Sequence, residues 1–257
     1  DKVQRMRKLG AFISDELFIS KEKVELSATI CKTDLISEIV GEFPELQGIL
    51  GGHLSEVQGF DKEIVDAVKE QYLPIGAESI VPKKLFSITL SLADKIDTLT
   101  GFYGINEKPT SSKDPYALRR VALGIIRIII ENKKNIKVKD LFSYSNNIYL
   151  DQGFRFSNDT LNEDISNFVK DRFKFYLKEK NLRHDIIEAA TKILDLNEIS
   201  TTYEKAKSLN KVIDKKIGED IVSSYKRAFN ILSSEIKSKN EILSNTTDPG
   251  IFKNDFE

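Results

Sequence analysis

The chain is poor in residues that build covalent or metal-held folds. Among its 257 residues there is one cysteine, Cys31, and there are two histidines, His53 and His184. A single cysteine excludes an internal disulfide and fits a reducing, cytoplasmic compartment. Two histidines and one cysteine are too few for a zinc site of the usual Cys/His kind, so no metal site is expected. Long apolar runs are missing as well. The longest, Val121 to Ile130, is broken by Arg127, which excludes a membrane-spanning segment. Strand-like alternation with hairpin turns is lacking, and no repeat of fixed period is visible.

What is present reads as helix almost throughout. Apolar residues recur at spacings of three and four from the first turn: Val3, Met6, Leu9, Ile13 and Leu17. A chain that opens on Asp1 inside such a pattern reads as part of a longer protein. Asp61 is placed to cap a helix carrying Ile64, Val65, Val68 and Tyr72, ended by Pro74. Pro82 suits a first turn ahead of Leu85, Ile88, Leu92, Ile96 and Leu99, with Gly101 positioned to terminate. Asp114-Pro115 repeats the start signal for a helix through about Glu131. Later apolar faces run Leu161–Tyr176, Ile186–Leu194 and Ile221–Ile236, and the stretch 244–250 is a structure breaker. The expected fold class is all-α, divided at the polar joint 108–113 into residues 1–110 and 111–257. Charge changes there too: residues 1–110 hold 13 basic and 18 acidic side chains, and the remainder 26 and 22. A basic second half points weakly to a polyanionic partner, although a solvated helical surface has the same composition.

Three stretches carry more information. In the first, Cys31-Lys32-Thr33-Asp34-Leu35 leads into Val40-Gly41-Glu42-Phe43-Pro44-Glu45-Leu46-Gln47-Gly48 and Gly51-Gly52-His53. Leu35, Ile36, Ile39, Val40 and Phe43 form an expected core stripe. The three glycines from Gly48 to Gly52 imply a turn or a close backbone approach, and Cys31 reads as a small buried apolar residue. The second stretch is Ala93-Asp94-Lys95-Ile96-Asp97-Thr98-Leu99, where Asp94 and Asp97 share a helix face. Such a pair is more often spent on an arginine or on capping than on a metal, which needs several convergent ligands. The third runs from Lys113 to Arg127. Its helix is apolar nearly all round except for Arg120, Gly124, Arg127 and Glu131. A guanidinium amid such surface needs a partner, so Arg127 is expected to pair with Asp94 or Asp97.

Together these stretches resemble the β subunit of bacterial heterotetrameric glycyl-tRNA synthetase. The resemblance rests on C-K-x-D-L…E-F-x-E-L-Q-G-x-x-G from Cys31, on Glu70-Gln71-Tyr72-Leu73-Pro74, on A-D-K-x-D-T-L-x-G from Ala93, and on K-D-P-x-A-L-R-R-x-A-L-G from Lys113, in that order. It implies an HD-like helical domain over 1–110. It also implies a helical body over 111–257 that leads into a DALR-type anticodon-binding bundle. A partner alpha subunit would carry the aminoacylation site, with its ATP and magnesium, in an α2β2 assembly, and tRNA(Gly) would be the ligand. No catalytic residue and no cofactor are expected in this chain. An active HD phosphohydrolase needs a His-Asp dipeptide between residues such as His53 and Asp94, and none stands there; His184-Asp185 comes too late.

For a tRNA partner, phosphate contacts from exposed cations are the expected grip. The candidates are Arg119 and Arg120, the ridge Lys170, Lys174 and Lys178 spaced by four, and Lys226 with Arg227. Two other readings remain: a helical scaffold that docks protein without touching RNA and, behind it, an HD-type metal-dependent nucleotide phosphohydrolase.

Overall fold

The computed structural model describes residues 1–239. Among these there are twelve α-helices and no strand: α1 (Lys2–Leu17), α2 (Lys21–Ile30), α3 (Glu38–Glu42), α4 (Ile49–Val57), α5 (Lys62–Glu70), α6 (Leu85–Gly104), α7 (Leu118–Glu131), α8 (Val138–Asp151), α9 (Leu161–Glu179), α10 (His184–Ile193), α11 (Ile199–Val212) and α12 (Lys216–Lys239). The all-α expectation holds. The stretch 244–250 lies outside the described residues.

Two compact units divide between Lys207 and Ser208. The polar stretch 108–113 is a surface loop within the first unit, and α7, α8 and α9 all pack against α6. Lys108 in that loop is pinned by Asp164 of α9 at 2.7 Å.

Helix α6 is the axis of the first unit. Ile88, Leu90, Leu92, Ala93, Ile96 and Leu99 are at most 1% exposed, as a helix surrounded by α1, α5, α7, α8 and α9 requires. Each flanking helix supplies its own apolar stripe. That of α1 is Met6, Leu9 and Ile13, that of α5 is Ile64, Val65 and Val68, and that of α9 is Ile165, Val169 and Phe173. Local caps agree with the sequence in kind and differ in place. Asp114 accepts from the backbone N–H groups of Leu118 (2.8 Å) and Arg119 (3.0 Å), so α7 begins three residues after Pro115. Ala117 adopts a left-handed conformation at its cap.

Gly101 does not end α6; the helix runs on to Gly104. Its small size serves another purpose, since a Cβ there would lie 2.4 Å from Tyr149 Oη. The Tyr149 hydroxyl is held at that spot by donating to the Asp97 carbonyl at 3.2 Å. At Gly48 the positive φ of 77° permits the turn into α4, and the buried Asp34 carboxylate accepts from the backbone N–H of Gly48 (2.6 Å) and Gly51 (3.3 Å). Cys31 is fully buried, and burial pushes its thiol up to about 12.

The second unit contains the end of α11 and all of α12. Its side chains Ile221, Tyr225, Phe229 and Leu232 stand exposed and do not form the buried face the periodicity predicts.

Gly101→Ala should destabilise the first unit by about 2 kcal/mol through overpacking. Tyr149→Phe removes the clashing oxygen, so its cost in the Gly101→Ala background should be smaller than in the parent. Chemical unfolding of the four chains of this double-mutant cycle measures the difference.

Candidate nucleic-acid interface

The sequence directs attention to the carboxylates of α6, and the structure shows them already engaged. Asp97, 1% exposed at the side chain, receives Arg5 in a two-pronged grip, Nε to Oδ1 at 2.6 Å and Nη2 to Oδ2 at 3.2 Å. The Arg5 guanidinium also lies 4.0 Å over the Tyr149 ring. Lys2 bridges both acids, at 3.2 Å from Asp94 and 3.3 Å from Asp97. Lys32 reaches Asp94 at 2.9 Å while lying 4.0 Å above the Tyr72 ring. Burial alone would raise the Asp94 carboxyl; Lys2, Lys32 and Lys95 outweigh it and hold the group well below the usual carboxylate range. Two ammonium groups on one carboxylate make an ion-pair site, a poor setting for a divalent cation.

This corrects the partner expected for the acids. Arg127 meets neither Asp94 nor Asp97. Its Nε lies 2.8 Å from Glu131, one turn along the same helix, and its Nη1 donates to the Gly76 carbonyl at 2.7 Å. The reason is how α7 crosses α6. Gly124 sits over the stem of Lys95, where a Cβ would be 2.7 Å from Lys95 Cε. The face of α6 that meets α7 therefore carries Lys95, while Asp94 and Asp97 turn toward α1. The partners Lys2, Arg5 and Lys32 went unrecognised in the sequence. The one available signal was that Lys2 and Arg5, three apart, share a side of α1.

Lys95 is a buried cation. Its Nζ donates to the carbonyls of Tyr72 (3.2 Å) and Leu73 (3.0 Å) and to Ser91 Oγ (3.0 Å). Burial pushes its ammonium down to about 8; Asp94 opposes the shift, and Lys32 and Lys2 add to it.

The two neighbouring arginines of α7 part ways. Arg119 closes the loop before its own helix, donating to the Thr110 carbonyl and lying 3.9 Å from Asp114. Arg120 is exposed and has no ion pair among the described residues. It stands on the wall of an open cleft of about 610 Å³ that is also lined by Pro44, Gln47, Tyr72, Pro74 and Tyr116. Tyr116 is stacked on Phe102 at 4.1 Å.

On α9 the ridge is uneven. Lys174 is taken by Glu188 of α10. Lys170 and Lys178 have no carboxylate partner among the described residues, and Lys178 is exposed. Phe173 and Tyr176 are buried, so they belong to the core. In the second unit Lys226 and Arg227 are exposed on α12, again without a carboxylate partner among the described residues. His53 is exposed on α4, 3.8 Å from Glu56. Among the described residues no three His, Cys, Asp or Glu side chains converge as a metal would require, and no helix is long and apolar enough to cross a membrane.

The geometry defines an all-helical protein with acids neutralised inside and several unpaired cations outside. Residues 1–192 match the family described as glycyl-tRNA synthetase beta subunit. The chain is 37% identical over 240 residues to the glycine–tRNA ligase beta subunit of Rhodospirillum centenum, covering 92% of this chain and 33% of that protein. It is 40% identical over 237 residues to that of Rickettsia canadensis, covering 91% and 33%. Against that of Paracoccus denitrificans it is 35% identical over 257 residues, covering 100% and 36%. The chain belongs to the glycyl-tRNA synthetase beta subunit family, and it spans about a third of the length of these curated relatives.

The charge cluster makes a pH prediction. Lys95 is a base whose folded value is depressed, so its burial costs stability below about pH 8. That cost is relieved as pH rises from about 8 toward the ordinary value of 10.5. Asp94 is an acid with a depressed value; its contribution is present above pH 3.8 and is lost as pH falls below it. NMR titration of lysine Cε resonances should show one midpoint near 8, and Asp94→Asn should move that midpoint lower. A Lys95 midpoint at the ordinary lysine value would contradict the assignment.

Proposed function

We propose that this chain is a tRNA-holding part of a glycine–tRNA ligase beta subunit. It binds and positions tRNA(Gly) for ATP-dependent glycylation carried out on the alpha subunit of an α2β2 enzyme in the cytoplasm. In this reading the helices through α6 represent an HD-like domain that has kept the fold and spends its acids on structure. The later helices form the body that leads into the anticodon-binding bundle. ATP and magnesium act on the alpha subunit, and no residue of this chain is assigned to them.

The observation that carries the reading is the sorting of cations. Lys2, Arg5 and Lys32 are consumed by the buried carboxylates of α6, and Arg127 by Glu131 of its own helix. Arg120, Lys170, Lys178, Lys226 and Arg227 reach solvent without one among the described residues. Unpaired surface cations are what a phosphate backbone replaces its counterions with. The cleft beside Arg120 adds a second feature: it has the size of a small-ligand pocket, and its proline and tyrosine walls suit the flat face of an unstacked base.

Arg119 and Lys174 stand apart from this set. Arg119→Ala should weaken the loop that precedes α7 more than it weakens RNA binding, because its guanidinium is spent on Thr110 and Asp114.

Fluorescence anisotropy of the full-length beta subunit with tRNA(Gly) at a series of salt concentrations tests the proposal. Affinity should fall steeply with salt, and Arg120→Ala or Lys178→Ala should each reduce the log–log slope by about 1. Affinity that does not change with salt would rule out phosphate gripping.

A further inference from the structure

Four parts of the first unit enclose the open cleft of about 610 Å³: the turn Pro44–Leu46, the loop after α5, the middle of α6 and the start of α7. Of the stripe Leu35, Ile36, Ile39, Val40 and Phe43 expected as core, the structure buries Val40 alone. The turn that follows it buries no residue either, so it serves as a wall of the cleft and adds nothing to the core. Flat surfaces are supplied by Pro74 and by Tyr116, which is backed on one face by Phe102 and is 45% exposed.

Two cations reach this space without a carboxylate of their own. The Arg120 guanidinium has no partner among the described residues. Lys95 spends its three N–H groups on the carbonyls of Tyr72 and Leu73 and on the Ser91 hydroxyl. Its neighbour Asp94 is already met by Lys2 at 3.2 Å and Lys32 at 2.9 Å. Burial, Lys32 and Lys2 together outweigh Asp94 and hold the Lys95 ammonium down at about 8. The crossing of α7 sets the two cations near one another. Gly124 lies on the stem of Lys95, and Arg120 is one turn away on the same side of α7. Glu45 is an exposed carboxylate on the cleft wall, and it is paired with neither cation.

These features decide among occupants. An apolar segment from the remaining part of such a subunit, about two thirds of the relatives' length, would leave Arg120 and Lys95 without a counter-charge. An acidic segment would supply the charge but no flat group for Tyr116 and Pro74. A nucleotide supplies both, as an aromatic base and a phosphate. Glu45, an acceptor only, suits the amino group of a base. We infer that the cleft holds one nucleotide, with its base against Tyr116 and Pro74 and its phosphate on Arg120. Lys95 acts on that phosphate through its charge, since its donors are spent. A nucleotide of an RNA chain and a free nucleoside monophosphate share this chemistry. For the RNA source the inference rests on the proposed function; for the free nucleotide it stands without it.

The probe is CMP, titrated into the full-length beta subunit and followed by ligand-observed NMR. Cytidine and ribose 5-phosphate are its two halves. CMP should bind about tenfold more tightly than either half. Arg120→Ala, at an exposed and unpartnered position, should keep the parent's thermal transition, lower CMP to the affinity of cytidine and leave cytidine itself unchanged. At saturating CMP the Lys95 midpoint should rise from near 8, because a neighbouring anion favours the charged amine. The inference is overturned by CMP that binds no better than cytidine, by equal CMP affinity in Arg120→Ala, or by a Lys95 midpoint that stays in place at saturation. A cleft filled by another part of the subunit would give no CMP binding and overturn it equally. Displacement of CMP by tRNA(Gly) identifies RNA as the source, and simultaneous binding of both identifies a free nucleotide. Salt-independent tRNA affinity together with intact CMP binding would sink the RNA reading alone. Salt-dependent tRNA affinity without CMP binding would sink this inference alone.

Discussion

Two carboxylates one turn apart on the most buried helix of the molecule have to be neutralised from somewhere. Asp94 and Asp97 lie on α6, where neither water nor a neighbouring turn can compensate them fully, and a charge left unpaired there would be prohibitive. The answer is three cations from earlier in the chain. Lys2 and Arg5 come from the first turn and a half of α1, and Lys32 comes from just beyond α2. The bidentate Arg5–Asp97 pair, roofed by the Tyr149 ring, also brings α8 into the arrangement. The acids therefore determine which helices surround α6 and on which side. Replacing such a cluster by well-packed apolar side chains can leave stability unchanged or improve it, whereas removing one partner is strongly destabilising. Its role is to specify the packing more than to strengthen it.

That constraint shapes the rest of the surface. Because α6 turns its acids toward α1, its other side is free to meet α7 through Gly124 and the stem of Lys95. Arg127 is left to find Glu131 and Gly76 instead. Arg120, about two turns earlier on α7, then emerges beside a cleft with no ion pair among the described residues. An acid pair buried on one helix thus leads, through the crossing of the next, to the unpaired guanidinium assigned to RNA.

Much of the architecture was legible beforehand because it depends on local periodicity. The stripes of α1, α5, α6, α7 and α9 read directly as helices, and the start signal at Asp114 proved to be a real cap. The misreadings share one cause: they concern what lies across the fold. Gly101 looks like a stop signal, yet its Cβ is missing to make room for Tyr149, forty-eight positions later. Leu35, Ile36, Ile39 and Phe43 have the periodicity of a core face and are left outside, because nothing within a helical stripe says whether another element will cover it. Arg119 and Arg120 are adjacent and chemically identical, and only the fold of the preceding loop gives one to Thr110 and leaves the other free. Periodicity likewise could not show that Lys174, in step with Lys170 and Lys178, would be taken by Glu188.

The central claim, that the α6 acids are structural and are met by α1, is tested most directly by a double-mutant cycle on Arg5 and Asp97. Arg5→Met, Asp97→Leu and the pair are placed in the full-length subunit, and hydrogen exchange is followed in the segment 85–104. Each single change should sharply lower protection, Arg5→Met by leaving Asp97 with Lys2 as its one cation and Asp97→Leu by leaving the Arg5 guanidinium without a carboxylate, about 3 kcal/mol by the usual cost of a broken buried pair. The double change should restore most of it. Additive losses, or single variants as protected as the parent, would contradict the account.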